Sequence, residues 1–128
     1  MSGVLQGVRV LELGQVLAGP FAGAILADLG AEVVKLERIE GGDDARAMGP
    51  AFRHGDALNF QVFNRGKQSV ALDLKSAAGL AALERLASEA DIFIHNLRPG
   101  VPAKLGIDGP ALCARHPRLI YCEISAFG

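Results

Sequence analysis

Short apolar runs alternate along this chain with stretches of helical spacing, and that alternation leaves few folds open. Val8 to Leu13 reads as a strand between Gly7 and Gly14. Pro20 stands where the first turn of a helix tolerates it. Phe21 to Leu29 reads as that helix, closed by Gly30 as its C′ residue. Glu32 to Glu37, with its β-branched pair, is the next strand. From Arg38 to Gly55 the pattern breaks. Gly41, Gly42, Asp43, Asp44, Gly49 and Pro50 predict a long loop, a kind that is usually functional or mobile. Leu58 to Phe63 is a short apolar segment with Phe60 and Phe63 on one helical face, and Ser69 to Leu72 is a short strand. Ser76 is placed to cap a helix running to Glu89, with Leu80, Leu83, Leu86 and Ala87 on one side. Asp91 to Asn96 is a strand, Pro99-Gly100 a turn, Pro110 to His116 a short helix, and Leu119 to Ser125 the last strand.

Strand and helix in that succession predict an α/β fold, a parallel sheet with flanking helices. Ligands of such sheets bind at the carboxyl ends of the strands. The rule selects the residues after each strand: Gly14 to Gly19, Arg38, Asp73 to Lys75, Asn96 to Arg98, and Ser125 to Gly128. Neither an internal repeat nor a low-complexity tract is present.

Composition narrows the function classes. Half of the 128 residues are hydrophobic, enough for a core, and the length fits one domain. Thirteen basic residues against fourteen acidic give a formal charge of -1, which argues against a broad electropositive face for duplex nucleic acid. With no Trp and one Tyr, an aromatic platform for single strands is disfavoured too. No apolar run reaches the roughly 20 residues that span a bilayer. The first residues lack a signal-peptide pattern, so the cytoplasm is the expected compartment. Cys113 and Cys122 make no disulfide framework. With His54, His95 and His116 scattered, no metal site is expected.

The first strand-to-helix turn holds small residues, and a helix N-terminus there favours an anion. Gly14, Gly19 and Gly23 do not have dinucleotide-fingerprint spacing, and read equally as turn and packing glycines. Glu37, ending the second strand, has the position of a ribose ligand, but Arg38 follows at once. Arg38, Lys75, Arg98 and Lys104 follow strand exits. They are either four solvated surface charges or a polyphosphate site, since arginine forks match phosphate oxygens. No nucleophile with an adjacent base, no G-x-S-x-G elbow and no P-loop is present. His95, within a strand, reads as a hydrogen-bonded structural residue.

Six blocks in unbroken order carry a resemblance. They are Gly7–Leu13, Ala18–Pro20, Leu26–Glu37, Asn64–Lys75, Ala90–Gly100 and Pro117–Gly128. Together they resemble the family III coenzyme A transferases, a superfamily that also holds α-methylacyl-CoA racemase. The resemblance implies a Rossmann-like large domain that binds coenzyme A or acyl-CoA as substrate, in an interlocked homodimer. By motif position it assigns coenzyme A contacts to Val16, Ala18, Arg38, Leu72, Lys75, Asn96, Leu97, Arg98 and Lys104. Leu17 stands where the formyl-CoA branch carries glutamine, so formyl or oxalate specificity does not carry over. The family's catalytic aspartate, which forms an anhydride with the acyl group, is expected beyond Gly128. Residues 1–128 are then an N-terminal coenzyme A-binding segment, inactive by itself, of an enzyme that exchanges coenzyme A between carboxylic acids. The longer stretch from Gly42 to Asn64 favours the transferase branch over the racemase. A non-catalytic nucleotide-binding module is the remaining alternative.

Overall fold

The computed structural model describes residues 3–128. Five strands form one parallel sheet: β1 (Arg9–Leu13), β2 (Glu32–Glu37), β5 (Lys67–Ala71), β6 (Ile92–His95) and β7 (Ile120–Glu123), in the order β5-β2-β1-β6-β7. Between β2 and β5, a short antiparallel pair, β3 (Phe52–Arg53) and β4 (Asp56–Ala57), closes a hairpin. The helices are α1 (Ala18–Asp28), α2 (Leu58–Phe63), α3 (Ala77–Glu89), α4 (Val101–Leu105) and α5 (Gly109–Arg115).

β1 is central because the chain leaves it in one direction, through β2 to β5, and returns across it to β6 and β7. A chain that reverses direction with crossovers of one hand must change face. So it does: α1 packs on Val10, Val33 and Ile94, while α3 and α5 pack on Leu11, Leu36 and Phe93 of the opposite face. Alternation along each strand supplies both faces, which is why β1 and β2 read as nearly continuous apolar runs. Leu83 and Leu112 are fully buried in the second layer.

Local signals set the helix ends. Ser76 Oγ accepts the Gly79 N–H at 2.9 Å, and Asp108 Oδ1 accepts the Ala111 N–H at 2.9 Å, so α3 and α5 both begin on side-chain caps. Gly30 has φ of 101°, the left-handed turn expected after α1. Boundaries differ by a few residues: α1 begins at Ala18 rather than Phe21, and β5 runs Lys67–Ala71 rather than Ser69–Leu72. The turn after Pro99-Gly100 continues into α4, which the sequence pattern did not separate from a loop. Cys113 and Cys122 are half-buried free thiols.

The long loop is not loose. Asp44–Ala47 forms a 3-10 turn capped by Asp43, whose Oδ1 accepts the Ala45 N–H at 2.9 Å. Arg46 then reaches back to the end of β2, with Nε and Nη2 on Glu37 at 2.8 and 2.7 Å, and on to Asp56 at 2.8 Å. Its guanidinium covers the Phe60 ring at 3.9 Å. Phe63 meets Phe21 edge-on at 5.6 Å, tying α2 to α1.

Candidate functional site

Reversal of strand order on either side of β1 opens a crevice at the carboxyl edge of the sheet. A cleft of about 530 Å³ lies there. Gly14 and Gln15 after β1, Arg38 to Glu40 after β2, Leu72 to Lys75 after β5, and Leu97 after β6 line it. Leu13, Leu36, Leu72, Leu74, Val101 and Leu105 make its floor apolar, and charge stands at the rim.

Of the residues singled out from sequence, Arg38, Leu72, Lys75 and Leu97 line this cleft. Arg38 is half-exposed and ion-paired with Asp44. Such an exposed pair holds little energy and leaves the guanidinium available to an incoming anion. Lys75 is exposed, on a turn fixed by a 2.9 Å bond from its N–H to Asp73 Oδ1. Val16, Ala18, Asn96, Arg98 and Lys104 are not among the lining residues. Two of the four cations are thus brought together, and Arg98 and Lys104 are exposed elsewhere.

Asn96 has a different occupation. Its Oδ1 accepts the Gln15 N–H at 2.7 Å, and its Nδ2 donates to Gln15 O at 2.9 Å. The side chain therefore clamps the first turn. Glu37 is equally committed. Burial raises its carboxyl, but hydrogen bonds from Arg46, Ser69 and the Asp43 N–H more than reverse this, to about 2. Both oxygens being held by protein, Glu37 does not serve a ribose. Gly14 and Gly19 pack on each other: a Cβ on Gly19 would lie 2.8 Å from the Gly14 Cα and 3.0 Å from Asn96 Oδ1. Close helix-to-strand packing is what these glycines permit.

Sequence reasoning missed a buried charge cluster behind the cleft. Lys35 Nζ donates to Glu12 Oε1 at 3.0 Å and Gly14 O at 2.9 Å, and lies 2.9 Å from Asp43 Oδ2. Lys67 Nζ donates to Glu12 Oε2 at 2.6 Å, Pro20 O at 2.7 Å and Asn64 Oδ1 at 2.9 Å. Burial lowers the Lys67 pKa against the pull of Glu12. A signal existed: Glu12 and Lys35 are register partners in neighbouring inner strands, and charges there must be buried and paired.

Under β6, Leu97 N–H donates to His95 Nδ1 at 3.2 Å. The ring proton then sits on Nε2, against Tyr121 Oη at 2.8 Å, and the tyrosine proton goes to Ile107 O at 3.0 Å. Burial pushes His95 below its ordinary value, despite Glu123, and raises Tyr121 to about 12. His95 is the structural histidine expected. Among the described residues no group of three or more His, Cys, Asp or Glu is placed to hold a metal ion. Among them, too, no helix is long and apolar enough to cross a membrane.

Residues 5–128 match the family model described as CoA-transferase family III. The chain belongs to that family. Among curated relatives it is 48% identical to succinate–glutarate CoA-transferase of Agrobacterium fabrum, covering 97% of this chain and 32% of that protein. It is 40% identical to human succinyl-CoA:glutarate CoA-transferase, over 97% of this chain and 28% of that one. The succinyl-CoA–L-malate CoA-transferase alpha subunit of Chloroflexus aurantiacus is 41% identical, over 97% of this chain and 29% of its own length. A crystal structure of a CAIB/BAIF family protein from Brucella suis superposes with a TM-score of 0.94 at 42% identity, covering 100% of this chain and 35% of that one. The chain therefore spans about a third of the length of the family III relatives it matches. The parallel sheet expected from the family resemblance is the sheet observed.

Proposed function

We propose that residues 1–128 are the coenzyme A-holding portion of an enzyme that moves coenzyme A between carboxylic acids. The observation that carries this reading is the cleft at the carboxyl edge, with an apolar floor and with Arg38 and Lys75 at its rim, in a chain of family III. An apolar floor suits the adenine ring or the pantetheine chain of the ligand. Two cations from separate strand exits suit its phosphates, by charge-assisted hydrogen bonds. Leu72 and Leu97 supply packing from opposite walls. Val16, Ala18 and Asn96 contribute through the turn that borders the cleft. Arg98 and Lys104 are assigned to the ligand on motif position alone.

In the full-length enzyme, the carboxylate of an aspartate outside these residues attacks the acyl-CoA thioester. The products are a mixed anhydride and the coenzyme A thiolate. The thiolate then attacks the aspartyl carbonyl, releasing the first acid and leaving an aspartyl thioester. A second carboxylate repeats the two steps in reverse. The names of the relatives described above favour transfer over racemisation and dicarboxylic acids as the exchanged substrates. A cytoplasmic, interlocked homodimer completes the proposal. Leu17, Phe21, Ile25 and Leu29 are exposed at four-residue spacing along α1, and they give the longer chain an apolar face to bury.

Titration of the purified chain with coenzyme A tests the binding role. Saturable binding supports it, and no heat at millimolar ligand rejects it. Incubation with succinyl-CoA and glutarate tests the division of labour. No glutaryl-CoA forms if the nucleophile lies elsewhere, and steady transfer would show that it lies within residues 1–128.

A further inference from the structure

Val16 has φ of 62°, a left-handed conformation that is sterically unfavourable for a β-branched residue. Such strain persists only where surrounding groups over-determine it. Here they do. The Val16 N–H donates to Asp43 Oδ1 at 3.0 Å. Gln15 before it is held at both its N–H and its carbonyl by Asn96, and Gly14 O accepts from Lys35 Nζ at 2.9 Å. Lys35 within β2, Asp43 in the loop that follows it and Asn96 at the exit of β6 thus grip three consecutive residues of one turn, two of which, Gly14 and Gln15, line the cleft.

Asp43 is the part of this grip that bears directly on the strained residue. It is buried, 2% exposed, and belongs to a loop 27 positions away in sequence. One oxygen receives two N–H groups, from Val16 and Ala45, and the other faces the Lys35 ammonium at 2.9 Å. We propose that Asp43, fixed by Lys35, is a positioning residue that holds Val16 left-handed and so sets the lip of the ligand cleft. This rests on the reading of the cleft as the coenzyme A site. Only a carboxylate serves: an asparagine has one oxygen, so its amide group must face either the two N–H groups or the ammonium. Asp43→Asn therefore breaks the device without changing side-chain volume.

Val16→Gly is the rescue, because glycine adopts positive φ without steric cost. Asp43→Asn is expected to weaken coenzyme A binding by about tenfold, the scale of one strained backbone residue released. Asp43→Asn with Val16→Gly is expected to return to within about threefold of the starting affinity, the residual reflecting glycine's looser turn. Leu83→Ala, in the core and remote from the turn, lowers the melting temperature and leaves affinity within about twofold. Unchanged affinity in Asp43→Asn, or a double variant that binds no better than Asp43→Asn, overturns the proposal. If Asp43→Asn does not fold, amide exchange in the unaltered chain decides: slow exchange at Val16 supports the clamp, and free exchange rejects it. If the unaltered chain binds no coenzyme A, the functional reading fails, and the clamp is judged by melting alone. Val16→Gly must then reduce the loss in melting temperature caused by Asp43→Asn, and an undiminished loss rejects it.

Discussion

Arg46 closes on Glu37 through two hydrogen bonds, Nε to Oε2 at 2.8 Å and Nη2 to Oε1 at 2.7 Å. This fork fastens the long loop to the end of β2. Arg46→Ala leaves a buried carboxylate with only Ser69 and one backbone N–H, and is expected to lower stability by about 3 kcal/mol, as removal of one partner of a buried pair does. Chemical denaturation at neutral pH measures it.

The same pair gives the fold an acid limit. Glu37 is held at about 2 in the folded chain against an ordinary 4.5. Its contribution is complete above pH 4.5 and is lost as pH falls from there towards 2. The displacement corresponds to about 3 kcal/mol. Denaturant midpoints between about pH 7 and pH 3 are expected to fall for the unaltered chain, and to fall less for Glu37→Gln. Equal slopes for the two would contradict the assignment.

Tyr121 and His95 share a proton chain that ends on Ile107 O. Tyr121→Phe keeps the ring stacked on Phe93 but leaves the His95 N–H and that carbonyl without partners. A loss of about 1–3 kcal/mol is expected from the buried unsatisfied groups. Thermal unfolding of the variant checks the size.

Gly19→Ala places a methyl 2.8 Å from the Gly14 Cα, where backbone has to move. It is expected to cost about 2 kcal/mol, within the range for overpacking, and to loosen the turn that borders the cleft. Ile25→Ser, on the exposed face of α1, is expected to change stability by less than about 0.5 kcal/mol and to reduce self-association. Unfolding curves and sedimentation separate the two effects.

Much of this was legible in the chain. Alternating runs marked the strands, because inner parallel strands are apolar on both faces. Ser76, Gly30 and Pro20 marked helix ends through local hydrogen-bonding and backbone rules. The strand-exit rule pointed to Arg38, Lys75 and Leu97, the family resemblance added Leu72, and all four line the cleft. What was not legible depends on non-local contacts. Glu12 and Lys35 sit inside strand patterns, and only their register, 23 positions apart, shows that they pair. Asp43 and Arg46 lie in a glycine-rich loop whose composition reads as functional or mobile, while its order comes from β2 and α2. Asn96 reads as a ligand contact, and its hold on Gln15, 81 positions away, is a further role that only the fold brings out. Arg98 and Lys104 follow a strand exit in sequence, yet α4 carries the chain on and both residues are exposed outside the cleft lining.

Arg38 and Lys75 are proposed to bind the phosphates of coenzyme A at the carboxyl edge of the sheet. Calorimetric titration of coenzyme A into the Arg38→Ala, Lys75→Ala double variant decides the point. Removing both charge-assisted hydrogen-bond donors together is expected to weaken affinity at least about tenfold relative to the unaltered chain, with unchanged thermal stability. An unchanged affinity in a folded double variant would show that these two cations do not hold the phosphates.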